Sequence, residues 1–151
     1  MIPKAHVYSR KAIAILIAFL AGSVVFMAFD TTPPYEYDEN ASFVVPSPAN
    51  DGDQVTVKWR LKKVNRECPG IAQRVLFDPK TKIILANYDP IPAATSESVR
   101  DGYLNRTFAL PRGLPSGPIA YRAEVCYGCN PLQQFVKPLC VPTPNLIFAV
   151  R

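Results

Sequence analysis

Residues 54–64 read QVTVKWRLKKV. Val55, Val57, Trp59 and Leu61 alternate with Thr56, Lys58, Arg60 and Lys62, the two-residue period of a strand with one buried and one wet face. IAYRAEV at 119–125 repeats the pattern, with Ile119, Tyr121, Ala123 and Val125 on one side and Arg122 and Glu124 on the other. Weaker strand patterns occupy residues 42–45, 74–77, 82–87, 103–110 and 146–150, so about seven short strands are expected. Between them lies turn chemistry: NDGD at 50–53, CPG at 68–70, DPKT at 78–81, DPIP at 89–92, PRG at 111–113 and PSGP at 115–118. The 16 prolines suit strand ends and loops, where no helix has to continue. An all-β, antiparallel sandwich over residues 42–151 follows.

Upstream of the strands, AIAILIAFLAGSVVFMAF at 12–29 carries no charged side chain. As a helix at about 1.5 Å per residue it reaches roughly 27 Å, against roughly 30 Å of bilayer hydrocarbon. Lys4, Arg10 and Lys11 precede it, and Asp30, Glu36, Asp38 and Glu39 are the first charges after it. Positive charge beside a span stays in the cytoplasm. The expectation is a cytoplasmic tail at 1–11, a transmembrane helix at 12–29 in the inner or plasma membrane, and an exported domain, periplasmic or extracellular. The competing reading is a cleaved secretory signal with Ala21-Gly22-Ser23 as the small-residue site, but the apolar run continues through Val24, Val25, Phe26 and Met27. TTPPYEYDEN, within 30–41, is polar with a proline pair and reads as an extended linker; ten residues reach at most about 35 Å.

Of the 17 Lys and Arg residues, three lie in the tail, leaving 14 against 12 acidic side chains beyond it. The exported part lacks the electrostatic footprint of a nucleic-acid binder. The one histidine, His6, is also in the tail, so no imidazole can activate a nucleophile or ligate a metal in the exported domain. Asp51 and Asp53 could pair for acid–base chemistry or calcium, yet NDGD directly before a strand reads as a tight turn. No phosphate-cradling glycine loop occurs. No cofactor, small-molecule substrate or metal is expected. Lys58, Arg60, Lys62, Lys63 and Arg66 form a basic stripe, read either as a contact for an acidic partner or as a solvated face that discourages edge pairing.

Three of the four cysteines fall in CYGCNPLQQFVKPLC at 126–140. In the cytoplasm, four cysteines with one C-x-x-C would suggest zinc; in an oxidising compartment, bridges are the default. A redox-active pair, Cys126 with Cys129, needs a helix N-terminus to lower the thiol pKa, and Asn130-Pro131 does not open an apolar-periodic helix. Sandwich connectivity brings the loop after the second strand to the same pole as the loop after the sixth. That favours Cys68 with Cys129 and Cys126 with Cys140; the rival is Cys68 with Cys126 and Cys129 with Cys140.

FALPRGLPSGPIAYRAEVCY at 108–127 resembles the E strand, turn and F strand of immunoglobulin-like and fibronectin-like sandwiches. Trp59 departs from that pattern by lying on the second strand, and Tyr121 by preceding Cys126 by five residues, so the inter-sheet bridge of antibody domains does not carry over. The format of basic tail, single span and small cysteine-bearing domain is similar to uncharacterised membrane proteins of proteobacteria and their tailed phages. That resemblance supplies no mechanism; the expected function is a non-enzymatic interaction module, used as a phage-encoded or envelope protein that meets another envelope or virion protein. The expected contact surface is the bridged loop pole, through Tyr127, Asn130, Leu132, Gln133, Gln134 and Phe135. The alternatives are a membrane-tethered thiol oxidoreductase using Cys126 and Cys129, or a structural subunit of a membrane complex.

Overall fold

In the computed structural model, which describes residues 4–95 and 98–151, the elements follow the order α1 (Lys4–Phe29), β1 (Tyr35–Val45), β2 (Gln54–Val64), β3 (Gly70–Phe77), β4 (Ile84–Pro92), β5 (Val99–Arg100), β6 (Tyr103–Ala109), β7 (Gly117–Tyr127), α2 (Pro131–Phe135), β8 (Leu139–Pro142) and β9 (Leu146–Val150). The alternating run at 54–64 is β2, with Val55, Val57 and Trp59 buried as their spacing requires. One antiparallel sheet has the order β1-β2-β6-β5. The other runs β4-β3-β7-β8, with β9 also on β7.

The core lies between these sheets. Val55, Val57 and Trp59 of β2 and Leu104 and Phe108 of β6 meet Leu76 of β3, Ile119, Tyr121 and Ala123 of β7, and Phe148 of β9. A run of rings crosses the interior. Tyr88 packs on Phe108 at 5.1 Å between centroids, Phe108 stacks on Tyr121 at 4.8 Å, Tyr121 meets Trp59 at 5.7 Å, and Trp59 meets Tyr37 at 6.3 Å. Each such pair adds about 0.5–1.5 kcal/mol to what its area alone provides. A smaller cluster, Tyr35, Ala72, Ala93, Val125 and Tyr127, fills the end from which the β2–β3 and β7–β8 loops emerge.

Three expectations need correction. The extended linker at 30–41 is cut short, because β1 begins at Tyr35 and pairs with β2 from Tyr35 opposite Val64 to Val45 opposite Thr56. Tyr35 is buried and Tyr37 packs on both clusters, so a Tyr-x-Tyr period hidden in polar company recruits the segment into the sheet. Where the pairing slips between Asp38 and Phe43, the Ser42 hydroxyl donates to the Asp38 carbonyl at 2.6 Å and accepts the Arg60 N–H at 2.9 Å.

DPIP at 89–92 is strand rather than turn. β4 is an edge strand, so its prolines need no inward N–H and the pairing reaches Pro92 opposite Ile71. The expected tail is also partly helical, since α1 starts at Lys4; its first three residues lie outside the described ones.

The last strand is broken where the sequence reads VPTPN. β8 and β9 lie along the same side of β7, and Thr143 spans the gap: its N–H donates to the Ala123 carbonyl at 2.7 Å and its hydroxyl accepts the Ala123 N–H at 3.0 Å. The ladder thereby continues past two prolines.

Leu76 is fully buried at the centre of the core, so Leu76→Ala should cost about 2–5 kcal/mol. Denaturant unfolding of the detergent-solubilised chain, followed by the fluorescence of its single tryptophan, should show the midpoint falling with an unchanged slope.

Candidate functional site

The C-terminal end of α1 is the best-furnished place on the molecule. A helix leaves its last turn of carbonyls without intrahelical partners, and near a bilayer water is a poor substitute. Two side chains of the β7–β8 loop supply the donors: Asn130 Nδ2 donates to the Met27 carbonyl at 3.3 Å and Gln133 Nε2 to the Asp30 carbonyl at 2.8 Å. The opposite ends of both amides are used as well. Asn130 Oδ1 accepts the Gln133 N–H at 2.9 Å as the N-cap of α2, and Gln133 Oε1 accepts the Cys129 N–H at 3.0 Å. Asn130 thus caps the start of one helix and the end of another.

The β2–β3 loop closes the other side. Arg66 pairs with the Asp30 carboxylate through Nη1 and Nη2 and donates from Nη2 to the Thr32 carbonyl at 2.6 Å. Asn65 donates from its backbone to the Pro34 carbonyl and from Nδ2 to the Pro33 carbonyl, both at 2.9 Å. The Arg66 guanidinium, opposed by desolvation, holds the Asp30 carboxyl below its ordinary value of 3.8. Residues 30–34 are therefore fastened along their length.

All four cysteines are spent in two bridges, Cys68–Cys129 and Cys126–Cys140. The first ties the Arg66 loop to the Asn130 loop. The second joins residues directly opposite on β7 and β8, at the base of the 127–139 excursion. Gly70 permits the approach: a Cβ there would lie 2.7 Å from the Cys126 carbonyl oxygen. The two cysteines of C-x-x-C go to different partners, so the disulfide that an oxidoreductase would cycle between them is not formed.

Of the six residues expected to form a contact surface, four are wholly or partly buried and two are exposed. Tyr127 is buried in the smaller cluster, Gln133 is buried at the junction, and Asn130 and Leu132 are half-buried. Gln134 is exposed but donates to the Gly128 carbonyl at 3.1 Å; only Phe135, 84% exposed, has no role inward. A local signal existed in Asn130-Pro131 with Gln133, a cap residue followed by proline at the first helical position. At five residues α2 is too short to show a period. The contribution of Asp30 and Asn65 had no signal in sequence.

The basic stripe divides likewise. Lys58 Nζ lies 5.8 Å from the Phe43 ring centroid and the Arg60 guanidinium 5.1 Å from that of Tyr103, while Arg60 Nη1 donates to the Asp101 carbonyl at 2.8 Å. Lys62 and Lys63 are exposed, and Arg66 belongs to the junction. Asp51 and Asp53 hold loops: Asp51 accepts the Gly113 N–H at 2.9 Å, and Asp53 accepts the Asn50 N–H at 2.9 Å.

No protein-family model matches the chain, and no curated protein matches it in sequence. By length and composition the segment Lys11–Phe29 can cross a membrane, which fits an anchor or a signal, and the two bridges fit an oxidising compartment.

Two outcomes follow. Because the Asp30 pKa is lowered, its pairing with Arg66 stabilises the chain fully above pH 3.8 and is lost as the pH falls through the lowered value. Asp30→Asn should therefore lower the thermal midpoint at neutral pH, and the native and variant midpoints should converge on acidification. Non-reducing peptide mapping should recover the two bridges above, and replacing Cys126 and Cys140 together by Ala should cost about 3 kcal/mol in denaturant unfolding.

Proposed function

We propose that the chain is a single-span membrane protein whose exported domain is an immunoglobulin-like sandwich acting as a non-enzymatic interaction module. The strand orders β1-β2-β6-β5 and β4-β3-β7-β8 support the fold assignment, since they correspond to A-B-E-D opposite C′-C-F-G. The domain departs from antibody domains in lacking a bridge between its sheets. Its aromatic interior takes over that task.

The observation that carries the functional reading is the junction. A domain destined to be released has no use for side chains that cap the last turn of its leader. Cleavage near Ala21-Gly22-Ser23 would leave Phe26 and Phe29, 76% and 80% exposed, in water. Retention keeps them in lipid, with the basic flank of the helix inside and the bridged domain outside. Asp30, Arg66, Asn130 and Gln133 then hold the domain at a set stance on the membrane, which suits a module that must present one face.

With the bridged loops committed to the anchor, the face offered to a partner is the outer side of β1, β2 and β6. Phe43 and Val45 are each 43% exposed there, and Phe43 packs edge-on to Tyr103 at 5.6 Å, flanked by Lys58 and Arg60. Aromatic and cationic groups side by side suit an acidic patch on another envelope protein or on a virion protein. The reading includes no catalytic step: the domain carries no histidine, and its thiols are all bridged.

A photo-crosslinking residue at Phe43, in cells that make the native partner set, should give a discrete adduct. Lys58→Glu with Arg60→Glu should reduce it at least several-fold, while the same probe at Ile83 gives none. Absence of an adduct from Phe43 in a chain that is folded and at the membrane would remove this face from consideration.

A further inference from the structure

The β7–β8 loop is inverted relative to an ordinary surface loop. Two of its polar side chains turn inward, Asn130 to the Met27 carbonyl of α1 and Gln133 to the Asp30 carbonyl just beyond the helix, while the exposed Gln134 is tied to the Gly128 carbonyl. Its apolar ones turn outward, with Phe135 at 84% and Val136 at 73% exposure and Pro131 and Pro138 exposed beside them. A loop in water would gain nothing from this arrangement, because exposed apolar area costs about 25 cal/mol per Å² relative to burial.

The position of the loop names what covers it. Its hydrogen bonds reach Met27 and Asp30, so α2 sits beside the last turn of α1, where Phe26 and Phe29 are exposed. One turn of helix rises about 5.4 Å, and an interfacial segment enters a bilayer by about 5–10 Å. We propose that Phe135 and Val136 form a second membrane contact, inserted at the headgroup boundary of the leaflet through which α1 emerges. Lys137, exposed and next in sequence, extends its stem along the boundary and keeps its ammonium among the headgroups. The domain thus stands on two points, the span and this foot, and two points resist tilting where one does not. The occupant is lipid, because the loop that carries the patch is hydrogen-bonded to the end of the helix that is long and apolar enough to span.

This inference rests on the reading of α1 as a retained anchor, and the experiment separates the two. The full chain is reconstituted into nanodiscs containing phosphatidylcholine brominated at a shallow or a deep acyl position. Tryptophan is introduced singly at Phe135, at Phe19 in mid-span, or at Ile83 on the β3–β4 turn at the opposite end of the sheets. Trp59 is buried and contributes the same background to each. Phe19→Trp should be quenched most by deep bromine, Phe135→Trp most by shallow bromine, and Ile83→Trp by neither. Quenching at 19 with Phe135→Trp as unquenched as Ile83→Trp would overturn the foot and leave the anchor standing. A blue-shifted but unquenched Phe135→Trp would also overturn it, since protein and not lipid would then be the cover. No quenching at 19 would overturn both.

Discussion

The last turn of α1 leaves carbonyls without intrahelical donors, and the β-rich domain supplies donors there, from Asn130 to Met27 and from Gln133 to Asp30 just beyond the helix. Much of the surrounding structure follows from this need. To deliver two amides to one helix end, the β7–β8 loop has to turn sharply, and it does so with a five-residue helix started by Asn130 and proline. To keep the loop in place, one bridge closes its base and the other ties it to the β2–β3 loop. That second loop then brings Arg66 and Asn65 to the short connection between helix and sheet. The junction is built from three separated parts of the chain, and the bridges convert them into one unit.

Away from the junction, the two sheets are held by a different device. No bridge crosses between them, and the rings of Tyr88, Phe108, Tyr121, Trp59 and Tyr37 pass from one sheet to the other instead. Burial raises the hydroxyl of Tyr37 to about 12, so it stays neutral at any physiological pH and the stack carries no charge. The bridges serve loops and the rings serve the core. Proline manages the outer strands: it lies in β4 and ends β8, where an unpaired N–H would invite another strand.

Charge plays a local part. Arg66 is drawn into the junction, while Lys58 and Arg60 lie against rings of their own sheet. What reads in sequence as one basic stripe is therefore an ion pair, two cation–aromatic contacts and two exposed lysines. The C-x-x-C spacing is equally deceptive, since Cys126 points to its neighbour on β8 and Cys129 to a loop more than fifty residues upstream.

Periodicity and composition by themselves determined the apolar helix, the two strongest strands and the β-rich class. These are local properties: alternation in QVTVKWRLKKV and IAYRAEV reports a half-buried strand whatever lies across from it, and an uncharged apolar run reports its solvent. The cysteine pairing was legible to the extent that strand connectivity constrains which loops share a pole. Tertiary structure alone decided that Tyr35 and Tyr37 draw the linker into a sheet, that Asn130 and Gln133 serve the end of α1, and that Tyr127 is core. Each of those outcomes depends on a partner distant in sequence: Val64 opposite Tyr35, Met27 beside Asn130, Gly70 opposite Tyr127. A side chain's type states what it can bond to, and only the fold states what is within reach.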